Sequence, residues 1–339
     1  MYQFRYDHWD EKRFPGYADS MNHLYDESLS YYLQKHMNDL NRNDDLLKMR
    51  QIFGYMEYYF AALLKLRYVG KNNFQNILSQ LKSIRMVQLL DPSLRDKFNG
   101  LTYQQMMTMN PTPGKFPGLD DCESLQLALY HELGHIIIES NHDDIEFLKN
   151  TVYREDEFKQ QFFKDGFGDF SKGFEFLDEV VAQNVGEAIL FDREGKERPS
   201  YCVYKNRVMN PEGTFTSNFL EYREFQELAY LFANCLDFIP KHENDTMCDV
   251  INRLSKAMFS RDFCKNIYSE FTKDSQKGED LMLMLMCMGK IKDAKYACFG
   301  YGSRDDSLKD VSKYFQLFHE IASKYQDAED SKVAQKVQG

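Results

Sequence analysis

The sequence has no long apolar segment and no basic cluster, and each absence excludes a class of protein. The longest purely apolar run, Leu281 to Met288, is far too short to cross a bilayer, so we expect no membrane partner. Acidic residues outnumber basic ones, 53 against 42, which argues against nucleic acid or an anionic membrane surface as a partner. No apolar stretch follows the aromatic segment 1–18, so we do not expect a secretory signal there.

Cysteine is sparse and its arrangement argues against a disulfide framework. The seven cysteines are odd in number and scattered, and no two of them have C-x-x-C spacing. This pattern favours a reducing compartment. We therefore expect a cytoplasmic protein, and export as an effector stays open because specialised export needs no classical signal. The oligomeric state is not indicated by the sequence.

Histidine is also scarce, with 8 in 339 residues, yet two of them form one pattern with a glutamate. His131, Glu132 and His135 spell H-E-x-x-H, and the apolar residues around them, over 125–138, recur at helical spacing. Histidines four residues apart lie one turn apart on the same helix face, where both can bind one Zn²⁺ at about 2.0–2.1 Å. Glu132 turns toward the same cleft and can serve as a base without ligating the metal.

A site of this kind needs a third protein ligand, and the metzincin position for it is absent. That pattern requires glycine and histidine where this chain has Ile138 and Asn141. His142 is one residue beyond the position where that pattern has its third histidine. On a continuing helix, His142 would lie roughly 16 Å along the axis from His131, too far to share one metal.

The stretch 174–189 offers a better third ligand. Its apolar residues predict a second helix, and Glu179 lies among them. A carboxylate in apolar surroundings is costly unless it is paired or bound to a metal. Glu175 and Asp178 on the same stretch are rival ligands.

The combination of H-E-L-G-H with a later D-E-x-x-x-Q resembles the gluzincin branch of the zincin metallopeptidases. In that family the third zinc ligand is a glutamate on a second helix, and the resemblance implies that Glu179 is this ligand. Gln183 matches an acidic position that usually orients a ligand histidine, so an amide there departs from the family pattern. The resemblance covers about 60 of the 339 residues.

The resemblance implies a zinc-dependent peptidase whose substrate is a peptide or a protein. Glu132 would take a proton from a zinc-activated water and pass it to the leaving amine. A donor to the developing oxyanion is also expected, for which Tyr222 is favoured over Tyr153, Tyr201 and His242. The alternative is an inactive zincin-like binding or regulatory protein with a structural zinc, although such a site would not need Glu132.

The rest of the chain predicts a mainly α fold with a small β-sheet, in which a helical N-terminal bundle precedes a zincin-like catalytic core. We expect a helical region at 1–100, a zincin-like metallopeptidase region at 101–325 and a disordered tail at 326–339. The short run 101–103 is a candidate strand, and in zincins an edge strand commonly aligns an extended peptide. Helices outside the site are predicted over 19–40, 46–68, 74–90, 218–239, 245–272, 277–297 and 305–325.

Overall fold

The computed structural model describes ten segments of the chain, and helices dominate them. The described residues are 16–35, 42–69, 84–96, 98–103, 106–114, 119–139, 170–196, 221–260, 262–298 and 311–337. Within these ranges one small sheet of three strands accompanies the helices, which confirms the predicted mainly α class. The elements are α1 (Tyr17–Lys35), α2 (Arg42–Lys65), β1 (Met86–Leu89), β2 (Gly100–Tyr103), β3 (Met106–Met109), α3 (Asp121–Glu139), α4 (Ser171–Glu194), α5 (Glu221–Cys235), α6 (Met247–Met258), α7 (Phe263–Lys273), α8 (Ser275–Cys298) and α9 (Ser312–Val337).

The chain divides into two compact units, and the division falls inside α4, at Ala182. The first unit comprises Met1–Ser140 and Ala182–Arg198, and it holds α1 to α3, the sheet and the C-terminal part of α4. The second unit comprises Asn141–Val181 and Pro199–Gly339, and it holds the start of α4 and all later helices. The sequence-based regions at 1–100 and 101–325 stay a prediction.

The sheet has the strand order β1–β3–β2, with β1 parallel and β2 antiparallel to the central β3. Met107 and Met109 of β3 are fully buried, whereas Met106 is 38 % exposed, so alternate side chains face the core. Ser28 of α1 accepts a hydrogen bond from the main-chain N–H of Val87 at 2.9 Å, and α1 thereby covers the outer edge of β1. The other edge belongs to β2, and no described strand pairs with it there.

One predicted helix is wrong where it meets this sheet. The sequence predicts a helix over 74–90, but Met86–Leu89 form strand β1, and residues 70–83 lie outside the described part of the chain. A short apolar run fits either period, so pairing decides its structure. Here β1 pairs residue by residue with β3, from Met86–Met106 to Leu89–Met109.

Helix α2 ends a few residues before the predicted Val69–Gly70. The N–H of Tyr68 bonds to the carbonyl of Leu63 at 2.9 Å, and the N–H of Arg67 bonds to that of Leu64 at 3.1 Å. This is the Schellman arrangement, in which the residue after the helix adopts a left-handed conformation. Arg67 takes that position with φ of 59°, although glycine is the usual residue there.

Two later predictions also differ from the structure. The helix expected over 245–272 is two helices, α6 and α7, because the chain turns at Phe259 and Ser260. The last helix is described from Ser312 and continues to Val337, into the segment predicted to be a disordered tail, while residues 305–310 of the predicted helix lie outside the described part of the chain.

The apolar run Leu281–Met288 lies in α8, and most of its side chains are buried within the second unit. In the described part of the chain, no helix has the length and apolarity needed to cross a membrane. The start of α4 crosses α8 very closely, because a Cβ on Gly173 would lie 2.3 Å from the carbonyl oxygen of Leu285. A Cβ on Gly289 would likewise lie 2.5 Å from the Cβ of Lys172. Because Gly173 and Gly289 have no side chains, α4 and α8 can approach each other this closely.

Candidate metal centre

Helix α3 carries the H-E-x-x-H residues and begins with a reciprocal cap. The Asp120 side chain accepts from the N–H of Glu123 at 2.8 Å, and the Glu123 carboxylate accepts from the N–H of Asp120 at 3.0 Å. This capping box satisfies two main-chain donors at the helix start. Apolar residues at helical spacing then bury the helix, namely Leu125, Leu129, Leu133, Ile136 and Ile137. The helix predicted over 125–138 is therefore confirmed.

The two histidines of α3 point their Nε2 atoms at the same place. These atoms are 2.9 Å apart, and the rings are perpendicular, with centroids 4.5 Å apart and an interplanar angle of 86°. Two nitrogen ligands of one tetrahedral zinc, each about 2.0–2.1 Å from the metal, lie roughly 3.3 Å from each other. The separation of His131 and His135 is thus close to that of a zinc-bound pair.

Glu179 of α4 completes a group of three side chains that could hold a metal ion. One nitrogen of each histidine and one carboxylate oxygen of Glu179 all lie within 4.8 Å of one another. Among the described residues, this is the one group of three or more such side chains found close enough to hold a metal ion. The stretch 174–189 is helical as predicted, and Val180, Val181 and Val185 are fully buried around the glutamate.

Small residues let α4 approach α3 at the level of the histidines. A Cβ on Gly134 would lie 2.8 Å from the Cα of Ala182, and a Cβ on Gly186 would lie 3.3 Å from the main-chain nitrogen of His131. Glu179 precedes Ala182 by less than one turn on the same continuous helix. The position of Glu179 near the histidines therefore follows from a close helix contact around Ala182.

The C-terminal end of α4 is anchored by aromatic and charged groups. The guanidinium of Arg193 lies over the rings of Tyr55 and Tyr58, at 4.5 and 5.3 Å from their centroids, and donates to Gln126 at 2.9 Å. The neighbouring Asp192 accepts from the Tyr58 hydroxyl at 2.8 Å. Because Tyr55 and Tyr58 lie on α2 and Gln126 on α3, these contacts hold α4 against both helices.

Glu132, the expected base, is buried and touches strand β2. It is 8 % exposed, and its Oε2 accepts a hydrogen bond from the Thr102 hydroxyl at 2.7 Å. A Cβ on Gly100 would lie 2.7 Å from Cγ of Glu132 and 2.9 Å from its Oε1. Any larger residue at position 100 would require the Glu132 side chain to move. The sequence indicated no role for either β2 residue.

The same two residues of β2 present main-chain groups to the free edge of the sheet, the edge at which no described strand pairs with β2. The N–H of Asn110 bonds to the carbonyl of Asn99 at 2.9 Å, which fixes the phase of the β2–β3 ladder. Hydrogen-bonded and non-hydrogen-bonded pairs alternate in an antiparallel ladder. Gly100 and Thr102 are therefore at non-hydrogen-bonded positions, and their N–H and C=O groups point away from β3. The strand predicted at 101–103 is thus an edge strand beside Glu132.

The rival ligands are not members of the metal-binding group found among the described residues. Glu175 is 47 % exposed and forms an ion pair with Lys172 at 2.9 Å. Asp178 immediately precedes Glu179 but does not belong to the group. His142 lies outside the described residues.

The residues proposed to stabilise the oxyanion are not placed near the three ligands by any described contact. Tyr222 lies in the first turn of α5, as expected, but its side chain is outside the described part of the structure. Tyr153 and Tyr201 also lie outside it. His242 is exposed, and its N–H bonds to the Asp245 carboxylate. The assignment to Tyr222 stays a prediction.

Gln183, the amide at the position where the gluzincin pattern has a histidine-orienting acid, forms a hydrogen bond along its own helix. Its amide nitrogen donates to the carboxylate of Glu187 at 2.9 Å, and both side chains are buried. This bond gives the amide of Gln183 a partner within α4. A buried glutamate one turn away makes a donor more favourable there than a second carboxylate.

No protein-family model matches the chain, and neither a curated protein nor a solved structure shows significant similarity to it. The described geometry alone therefore defines the class of site. It is a possible metal site formed by His131, His135 and Glu179, with H-E-x-x-H spacing.

Proposed function

We propose that the protein is a zinc-dependent peptidase of the gluzincin type, acting on a peptide or protein substrate. The observation that supports this most directly is the grouping of His131, His135 and Glu179 within 4.8 Å, beside a buried Glu132 that does not belong to the group. A structural zinc site needs ligands but no adjacent unligated carboxylate. A hydrolytic site needs both.

The donor set fits zinc better than the harder divalent ions. Two imidazole nitrogens and one carboxylate oxygen form a usual catalytic zinc set, whereas calcium and magnesium prefer oxygen ligands. Zinc in a three-ligand site supplies a Lewis acid and an activated water. His131, His135 and Glu179 would hold the ion.

Glu132 is suited to receive and return a proton. Its Oε2 is held by the Thr102 hydroxyl, which leaves Oε1 for a substrate or solvent proton. Burial of the group limits competing contact with bulk water. As general base, Glu132 would take the proton of the attacking water and then deliver it to the leaving amine.

The free edge of β2 supports an extended peptide as the substrate. Gly100 and Thr102 direct main-chain donors and acceptors outward, next to the residue that would perform the proton transfer. An extended chain can add to such an edge by main-chain pairing. This would place a peptide bond close to Glu132.

The test combines metal content with turnover. We expect about one zinc per chain in the wild type and in Glu132→Gln, and much less in Glu179→Ala. Elemental analysis of the purified proteins measures this, with Glu175→Ala as the matched control that keeps its zinc. On a peptide library, Glu132→Gln should lower turnover by about 10²–10⁴-fold.

Two results would contradict the proposal. Full activity of Glu132→Gln would refute the assigned base. Stoichiometric zinc without cleavage of any peptide would favour the alternative, an inactive zincin-like binding or regulatory protein.

A further inference from the structure

Lys292 of α8 lies beside the proposed metal ligand Glu179. Its ammonium is 3.8 Å from Oε1 of Glu179 and 3.4 Å from Oε2 of Glu175. The Lys292 side chain is only 12 % exposed. Because partly buried charges are weakly screened by solvent and salt, a cation at this distance has a substantial effect on Glu179.

The place of Lys292 is set by the close crossing of α4 and α8. Gly289, which contacts Lys172 at that crossing, precedes Lys292 by three residues and so lies on the same face of α8. Glu175 and Glu179 are four residues apart and share one face of α4. Helices that approach at Gly173 and Gly289 therefore bring Lys292 and these two glutamates together.

We propose that Lys292 is a positioning residue that orients the Glu179 carboxylate and competes with the metal for that carboxylate. Lys292 thereby sets the metal affinity of the site. The inference rests on the metal site of the proposed function, but not on peptidase activity. While the metal is absent, the ammonium balances the charge of Glu179 and fixes the direction of its carboxylate. If a metal dication bound to Glu179, the attraction between the Lys292 ammonium and Glu179 would weaken. The ammonium and the metal ion, both positively charged, would also repel each other.

The proposal predicts that removing the lysine charge strengthens metal binding. Lys292→Met keeps most of the aliphatic stem and should bind zinc about tenfold more tightly, because both the competition and the repulsion are lost. Lys292→Arg keeps the charge and should stay within about twofold of the wild type. Zinc affinity is measured by competition with a chromophoric chelator at neutral pH.

Lys172→Met provides the matched control. Lys172 lies on α4 itself, is 49 % exposed and pairs with Glu175 at 2.9 Å. Its removal takes one positive charge from the same acidic group, at an exposed position where charges are well screened, so zinc affinity should change by less than about twofold. The unfolding midpoint of each zinc-free variant shows whether the fold is intact. Damage to the fold would weaken zinc binding, whereas the proposal predicts the opposite.

The outcomes separate this inference from the proposed function. Zinc affinity that is unchanged or weaker in Lys292→Met, with Lys292→Arg and Lys172→Met like the wild type, would overturn the role of Lys292 and leave the peptidase proposal standing. Tighter zinc binding in Lys292→Met in a protein that cleaves no peptide would support the role of Lys292 and contradict the peptidase. A wild type that binds no zinc would overturn both.

Discussion

The surroundings of Glu132 and of Glu179 differ, although both are carboxylates of one candidate site. Glu132 accepts a hydrogen bond from a neutral hydroxyl, that of Thr102, and lies under the backbone of a strand. Glu179 lies beside an ammonium group, that of Lys292. The Thr102 hydroxyl orients Glu132 without adding a charge, whereas the Lys292 ammonium places a positive charge beside Glu179. The two carboxylates are thus held by different kinds of group, one neutral and one charged.

The largest expected effect, on kcat, comes from adding a side chain at Gly100, next to Glu132. In Gly100→Ala the new methyl group would lie 2.7 Å from Cγ of Glu132, so that flexible side chain must move. A misplacement of about 1 Å in a catalytic group can cost about hundredfold in turnover. We expect that loss in kcat, with zinc content and the unfolding midpoint nearly unchanged.

Gly114→Ala is the control for this change. Among the described residues, a Cβ there would meet Oδ1 of Asn99 alone, at 3.8 Å, which is an ordinary contact. Wild-type kcat in Gly100→Ala would show that the position of Glu132 under β2 does not matter for turnover.

A smaller effect is expected where the helices bearing the two carboxylates meet. In Gly134→Ala the new Cβ would lie 2.8 Å from the Cα of Ala182, and backbone cannot yield as a side chain can. We expect a loss of about 1–3 kcal/mol in the free energy of unfolding, as for other overpacked contacts. Urea unfolding of the zinc-free proteins measures the change.

The matched variant is Gly54→Ala in helix α2, where no described atom beyond the neighbouring residues and the helix's own backbone lies within 4 Å of the added Cβ. Replacement of a helical glycine by alanine should raise the free energy of unfolding by up to about 1 kcal/mol. Equal free energies of unfolding for Gly134→Ala and Gly54→Ala would contradict the close approach of α3 and α4 at Gly134.

The smallest effect is expected from the neutral donor to Glu132. Thr102→Val removes the hydroxyl and keeps the shape and the strand preference of the residue. One net hydrogen bond is worth about 1 kcal/mol, so we expect kcat to fall about fivefold. Thr102→Ser retains the donor and should keep most of the activity. An equal loss in both variants would indicate packing rather than the hydrogen bond.

Local spacing made the helical part of the site predictable. The H-E-x-x-H residues and the stretch around Glu179 each lie within a single helix, and a period of 3.6 residues places side chains on a face without knowledge of the fold. The argument against His142 likewise needs only the rise of a helix, and it stays a prediction because His142 lies outside the described residues. The resemblance to the gluzincins then singled out Glu179, which does lie in the group of three side chains that could hold a metal ion.

The rest of the site depends on contacts between distant segments, which local periodicity does not contain. Gly100 followed an asparagine and indicated only a turn, whereas its role is set by Glu132 on another element. Lys292 lies more than a hundred residues after Glu179 in the sequence. Strand β1 was mistaken for a helix because its partner strand, not its own composition, determines its conformation.

In the proposed peptidase, single residues of strand β2 would link peptide binding to proton transfer. The backbone of Thr102 points to the free edge, while its hydroxyl holds Glu132. A peptide that paired with this edge would tighten the strand and thereby restrain the base. If peptide pairing at this edge changes how Thr102 holds Glu132, thermodynamic linkage requires that a change at Glu132 also alters the affinity for the peptide. Affinity for a non-cleavable peptide would then report the state of Glu132 without any turnover.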